Sequence, residues 1–405
     1  MSPMAKAAYL NFPPLPKEIT DRFNAKRPES VVATPHYDGA MGRDWPLVSI
    51  GFFQVFTPLV QPIRTNTESC SNKVVVAVVD TGIDYTHADL KDHIWVNKGE
   101  AGTWQPPAEI ASLTKCRDKS CNGIDDDANG FVDDVVGWDF VNNEPLPYDV
   151  HGHGTHIAGI ISSDPAANVG LVGVCPDVTI MPLKYYDNSG LGNNNLSNTV
   201  KAIRYAVQMG ANIINYSGGG ADPAASEKAA IEEAQKKGIL FVAAAGNDGH
   251  SNDESPYFPA SYGLDNIISV ASINRDNQLL PSSNFGTKTV NIAAPGLMIL
   301  SSLPTGKFGT MSGTSQATAF VTGAAALLAS QWKDSSQFDY RKVKKWLLDG
   351  SKPLPEQGNH VVSNGMLSVA RSMDLEREEF SHKNVAKPRN DIAFHPRKSA
   401  ADVIQ

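Results

Sequence analysis

From Val74 to about Ala329, short apolar runs without polar alternation are separated by amphipathic or alanine-rich stretches of helical length. VVVAVVD (74–80) precedes HIAGIISS, and VTIMPLKYY (178–186) precedes TVKAIRYAVQMG. ANIINYS (211–217) precedes ASEKAAIEEAQKKG, and ILFVAAAG (239–246) leads through a proline-rich loop to NIISVASI. Strands that are apolar on both sides, spaced by helices, predict a parallel sheet covered on both faces. MSGTSQATAFVTGAAALLASQW (311–332) is apolar all round and rich in small residues, which predicts a buried central helix. A further helix is expected over Asp339–Leu348.

The flanks differ. Residues 1–69 are proline-rich, with a short amphipathic stretch near Lys17–Lys26 and an apolar segment over Val48–Val60. They read as an N-terminal extension or propeptide-like segment that wraps the domain that follows or leaves on maturation. Residues 70–374 form the expected α/β domain. From 375 to 405 the chain turns charged, which predicts a docked extension or a loose tail.

The 405 residues are 41% apolar and include 33 glycines, as in a globular α/β protein. A net charge of −8 argues against a nucleic-acid partner, which needs a basic face. No apolar run approaches the roughly 20 residues of a membrane span, so no membrane partner is expected. The N-terminal residues lack the apolar stretch of an intact signal peptide. Cys116 and Cys121 bracket four polar residues and are spaced to close a small loop, while Cys70 and Cys175 border apolar runs. Buried free thiols are the alternative. The balance favours a secreted or periplasmic protein, monomeric by default.

Chemistry concentrates where apolar runs meet glycine-rich turns. Asp80 ends the first strand, and a carboxylate there is costly unless paired. His153 lies in HGHGTH, where Gly152 and Gly154 give the imidazole room to act as a general base. Ser315 follows Gly313-Thr314 and opens the buried helix, where its hydroxyl gains from the helix dipole and its N–H is a free donor. Asp, His, Ser is one chain order of the serine-hydrolase triad. Asn247 follows a strand and Ala-Gly, so its carboxamide and the Ser315 N–H are placed to form an oxyanion hole. Each residue alone fits a blander reading: turn former, helix cap or loop amide. A zinc site on His151, His153 and His156 is the competing interpretation. It lacks the aspartate that the dinuclear pattern puts at Thr155, and it leaves the GTS helix start unexplained.

A second cluster lies in NGIDDDANGFVDD. Asp125, Asp127, Asn129, Gly130 and Asp133 fall at positions one, three, five, six and nine of a calcium loop. Position twelve is Val136 rather than glutamate, so the loop is no EF-hand, but its oxygen density suits Ca²⁺.

Taken together, DTGID with THADL, HGHGTHIAG, GLVGVCPDV, NIINYSGGG, FVAAAGNDG, NIAAPG and SGTSQATAFVTGAAALL resemble the subtilisin-like (subtilase) family of serine endopeptidases over roughly Val74–Asp374. The resemblance implies a three-layer α/β fold, a serine endopeptidase acting on polypeptide substrates, and an Asp80–His153–Ser315 triad with Asn247 as oxyanion donor. It makes Ser217-Gly218-Gly219 the edge that pairs with an extended peptide and sets Tyr257 in the loop flooring the specificity pocket. It also implies structural Ca²⁺ between the Asp and the His, a Cys70–Cys175 bridge, and leaves room for a separate site at Asp89. The calcium loop common after the His helix is not clearly matched by Ala166–Gly170. Gln316 and Ala319 stand where the family has Met and Pro, and Gly218 where Leu is common. These departures admit a catalytically silent, binding-only relative as the alternative.

Overall fold

The computed structural model describes residues 45–52, 70–108, 111–112, 116–164, 171–186, 195–332, 337–355 and 360–384. The Lys17–Lys26 stretch, most of Val48–Val60, Ala166–Gly170 and residues 385–405 lie outside the described residues.

The predicted runs become strands β1 (Val75–Asp80), β4 (Thr179–Lys184), β5 (Ile213–Tyr216), β6 (Leu240–Ala244), β7 (Ile267–Ile273) and β8 (Ile292–Pro295). Short pairs β2 (Trp138–Asp139) with β3 (Glu144–Pro145), and β11 (Lys352–Pro353) with β12 (Gly365–Met366), finish the edges. The ten strands run in the order β11-β12-β8-β7-β6-β5-β1-β4-β2-β3. Pairing is parallel throughout except in the two edge hairpins. A separate hairpin joins β9 (Ile299–Leu303) to β10 (Lys307–Met311).

Alternation along β1 divides the core. Val76 and Val78 face one apolar cluster, while Ala77 and Val79 face another. The first holds helices α2 (His153–Ser162), α5 (Thr314–Ala329) and α6 (Tyr340–Asp349). The second holds α3 (Asn195–Gln208) and α4 (Ala225–Lys236). Every residue of α5 is buried, as its all-round apolar pattern requires. The three-layer α/β fold expected from the alternation is therefore present.

In strand order β1 stands between β4 and β5, so successive connections leave it in opposite directions. Such a switch point opens a crevice beyond the carboxyl ends of the strands. Asp80, the β5–α4 turn at Ser217 and the β6 exit at Asn247 all lie on that edge.

The flanks contribute to the core. Helix α1 (Trp45–Ser49) and the residues after it bury Trp45, Leu47, Ile50 and Phe52 against the first cluster. The Val369 N–H donates to Ile50 O at 2.8 Å, and Ser49 Oγ donates to Asn277 Oδ1 at 2.9 Å. Helix α7 (Val369–Asn384) carries the chain past the start of the charged segment, with Leu375 and Phe380 packed on the same cluster. Residues 375–384 are thus a docked helix rather than a loose tail. Glu376 is itself buried there, and Glu379 accepts from Lys342 Nζ at 2.7 Å and Trp346 Nε1 at 3.1 Å.

Phe52 is 1% exposed. Phe52→Ala should therefore cost about 3–5 kcal/mol by the usual cavity penalty, read as a lowered urea midpoint. An unchanged midpoint would mean that the strap contributes nothing to the fold.

Candidate active site

Asp80 sits at the end of a strand buried on both faces and is itself 3% exposed. Its Oδ1 accepts the Thr81 N–H at 2.8 Å and meets His153 Nδ1 at 2.7 Å. The two elements that bring them together must approach closely. A Cβ on Gly154 would lie 2.1 Å from Gly82 O, so only glycine lets the first turn of α2 rest on the strand end. Burial works against the imidazolium and is the largest single effect on His153. The Asp80 charge and hydrogen bond, reinforced by the Asp149 charge, outweigh it and lift the imidazole above the ordinary histidine value.

Asp149 is a residue that the sequence reading passed over. Fully buried, its Oδ1 accepts Thr81 Oγ1 at 2.9 Å, the His151 N–H at 2.9 Å and the Gly152 N–H at 2.8 Å. Its Oδ2 accepts the Thr155 N–H at 3.0 Å and Thr155 Oγ1 at 2.7 Å. Thr81 Oγ1 in turn accepts the Gly154 N–H at 3.0 Å. One carboxylate therefore ties the β1 exit to the start of the helix that carries His153. An aspartate shortly before a glycine-rich helix start was the available signal, since such positions favour capping.

Ser315 lies in the first turn of α5, 8% exposed. Its Oγ donates to Ser217 O at 3.3 Å, and Ser217 Oγ donates to Ser315 O at 3.4 Å. The nucleophile candidate and the edge segment are thus fixed to each other. Asn247 is exposed, yet its orientation is set. Its Oδ1 accepts the Thr314 N–H at 2.9 Å and Thr314 Oγ1 at 3.2 Å. With the carbonyl end held, the Nδ2 end is the one left to donate. Thr314 is a second positioning residue that its place in GTS did not reveal. Gln316 and Ala319 are both buried in α5. The Tyr185 hydroxyl stands 2.1 Å from where a Cβ on Gly218 would be, so a tyrosine fills the room of the expected leucine.

The three histidines diverge. His153 faces Asp80, whereas His156 is fully buried with Nε2 against Ile299 O at 2.9 Å and Gly309 O at 3.2 Å. Burial pushes His156 down to about 4 and keeps it neutral. His151 is exposed, and its Nδ1 accepts the His153 N–H at 3.3 Å. The ring nitrogens are aimed at different partners, so the zinc reading loses its geometric basis.

The calcium-loop residues also separate. Asp125 accepts the Asn129 N–H at 3.0 Å and the Gly130 N–H at 2.8 Å. Asp133 accepts the Gly123 N–H at 3.0 Å, and burial pushes it up to about 7. Asn129 donates to Asp134 Oδ2 at 2.8 Å. Of the expected carboxylates, Asp127 alone joins a cluster among the described residues, formed with Glu100 and Asp134, whose carboxylate oxygens lie within 4.8 Å of one another. Glu100 and Asp134 are fully buried, and Glu100 Oε2 has no hydrogen-bond partner. Burial pushes Glu100 up to about 7 and Asp134 upwards as well. Converging hard oxygens with one unsatisfied buried atom fit a calcium ion. Asp89 is buried with Oδ1 unpartnered, and its carbonyl oxygen accepts the Asp164 N–H at 3.1 Å. The disulfides Cys70–Cys175 and Cys116–Cys121 both form, at Cα separations of 5.4 and 5.8 Å.

Asp80 and His153 thus meet at the carboxyl edge of the parallel sheet, while Ser315 and Asn247 are each fixed to neighbours of their own. The sequence model of the subtilase family matches residues 71–366, and the chain belongs to that family. Subtilisin-like protease 1 of Plasmodium falciparum (isolate 3D7) is 33% identical over 318 residues, covering 74% of this chain and 43% of that protein. The chain thus spans less than half of this relative. The major intracellular serine protease of Bacillus subtilis (strain 168) is 32% identical over 314 residues, 76% of this chain and 85% of that protein. The crystal structure of a lanthipeptide protease shares the fold at a TM-score of 0.59 and 24% identity, covering 84% of this chain and 96% of that one.

Asp149→Ala would strand five donors around Thr81 and α2. A loss of about 3–5 kcal/mol is expected from breaking a buried charge network, measured by chemical denaturation. A variant as stable as the parent would show that Asp149 does not hold the site together.

Proposed function

We propose that the protein is a serine endopeptidase that cleaves extended segments of polypeptide. The observation that carries this is the 2.7 Å contact of His153 Nδ1 with a buried strand-end carboxylate, in a chain of the subtilase family. Holding Nδ1 leaves Nε2 as the base. A peptide laid along Ser217-Gly218-Gly219 pairs through its backbone and displaces the Ser315 Oγ contact with Ser217 O. Ser315 Oγ, freed from Ser217 O, then attacks the scissile carbonyl while His153 Nε2 takes its proton. Asn247 Nδ2 and the Ser315 N–H receive the oxyanion. Collapse passes the proton to the leaving amine, and water then hydrolyses the acyl-enzyme by the same route. Gln316 and Ala319 remove none of these atoms, which favours an active enzyme over a silent binder.

Glu100, Asp127 and Asp134 would hold Ca²⁺, which would offset the like charges of two buried carboxylates and an exposed one and stabilise the fold, with no part in the chemistry. The two disulfides support a secreted setting, where such bonds persist. Among the described residues no helix is long and apolar enough to cross a membrane.

Two measurements test these readings. Ser315→Ala should reduce kcat on a denatured protein substrate by about 10⁵-fold or more, and Asn247→Leu by about 10²–10³ with KM little changed. Full activity in either variant removes that residue's role. For calcium, the sign follows from Glu100. Its folded-state value is about 7 against about 4.3 unfolded, so the ion-free protein loses stability as pH rises through that window. Chelation should therefore lower the melting temperature more at pH 8 than at pH 5. An equal or reversed effect contradicts the assignment.

A further inference from the structure

Strands β5 and β6 are parallel neighbours, with Tyr216 opposite Ala243. The turns that leave them, Ser217–Gly220 and Ala245–Asn247, therefore run side by side at the crevice. Under the peptidase reading, on which this inference rests, the scissile carbonyl lies between Asn247 Nδ2 and the Ser315 N–H. The side chain on the acyl side of that bond must then point into the slot between the two turns.

Both walls of the slot are glycine, yet it is not open. A Cβ on Gly219 would lie 2.5 Å from Tyr257 Cε1 and 2.9 Å from its Cζ. A Cβ on Gly246 would lie 3.1 Å from Tyr257 Cγ. The tyrosine ring thus spans the gap, with its Cγ end against one wall and its Cζ end against the other. Its backbone is pinned on both sides. Phe258 pairs with Gly220 through two hydrogen bonds of 2.8 and 2.9 Å, and the Ser261 N–H donates to Tyr257 O at 2.9 Å. Ser261 Oγ accepts the Tyr257 N–H at 3.2 Å. This ladder fixes the Cα from which the ring projects, and the two glycine walls flank the ring itself.

We propose that Tyr257 closes the acyl-side specificity pocket, so that the enzyme cleaves after glycine, alanine or serine and rejects leucine and the aromatics. A hydrogen, methyl or hydroxymethyl fits beside the ring. Larger groups need the space that the ring already takes.

The test uses internally quenched peptides that differ only in the acyl-side residue: Gly, Ala, Ser, Leu or Phe. Labelling of Ser315 with a fluorophosphonate is read in parallel. The wild-type protein should label and show kcat/KM for Ala at least about 100-fold above Phe, the scale of pocket discrimination by size. Tyr257→Phe retains the ring and should keep that ratio, whereas Tyr257→Gly should raise Phe relative to Ala by about 100-fold. Labelled wild-type protein that cuts Phe or Leu as readily as Ala overturns the proposal and leaves the peptidase reading intact. An unchanged ratio in Tyr257→Gly overturns it equally. Absence of both label and cleavage defeats the peptidase reading, and this proposal with it.

Discussion

The site depends on one contact between a buried carboxylate and an imidazole. Asp80 is placed by β1, whose neighbours on both sides are parallel strands, so its position is as rigid as the sheet. A charge there would be costly without a partner. His153 supplies that partner and is oriented by it. Asp149 and Thr81 prevent the two elements from drifting apart. The Ser315 and Asn247 positions repeat the principle, since Thr314 fixes the carboxamide and Ser217 fixes the helix start. Each candidate side chain at a strand or helix end is thus held by a neighbour.

Elsewhere the structure accepts an electrostatic cost that a cation would remove. Glu100, Asp127 and Asp134 converge while their loop amides and Tyr205 satisfy most, but not all, of their oxygens. Burial raises the carboxyl values of Glu100 and Asp134, so without an ion these two take up protons more readily. The loop that carries this cluster also connects β1 to the helix bearing His153. Stability of the loop and geometry of the site are therefore linked through the backbone.

Much of this was legible in the sequence. Parallel strands buried on both faces write themselves as unbroken apolar runs, and glycine-flanked polar residues at their ends mark the crevice. The candidates Asp80, His153, Ser315 and Asn247 were picked out for that reason. The metal cluster was only half legible. Spacing in Asp125–Asp133 read as a ligand set, but loop amides consumed Asp125 and Asp133, while Glu100 came from a segment with no local pattern. Asp149 was hidden because a capping carboxylate looks like any loop aspartate. The docking of Phe52 and Phe380 depends on contacts remote in sequence, which periodicity does not encode. Tyr185 replacing a leucine beside Gly218 is likewise a matter of three-dimensional compensation.

The most direct test of the Asp80–His153 contact is an NMR titration of the His153 imidazole in the Ser315→Ala protein, with and without Asp80→Asn. The ion pair predicts that His153 titrates above the ordinary histidine value, with its proton kept on Nδ1, and drops when Asp80 loses its charge. A histidine that titrates at or below the ordinary value and ignores Asp80→Asn would contradict the account at its base.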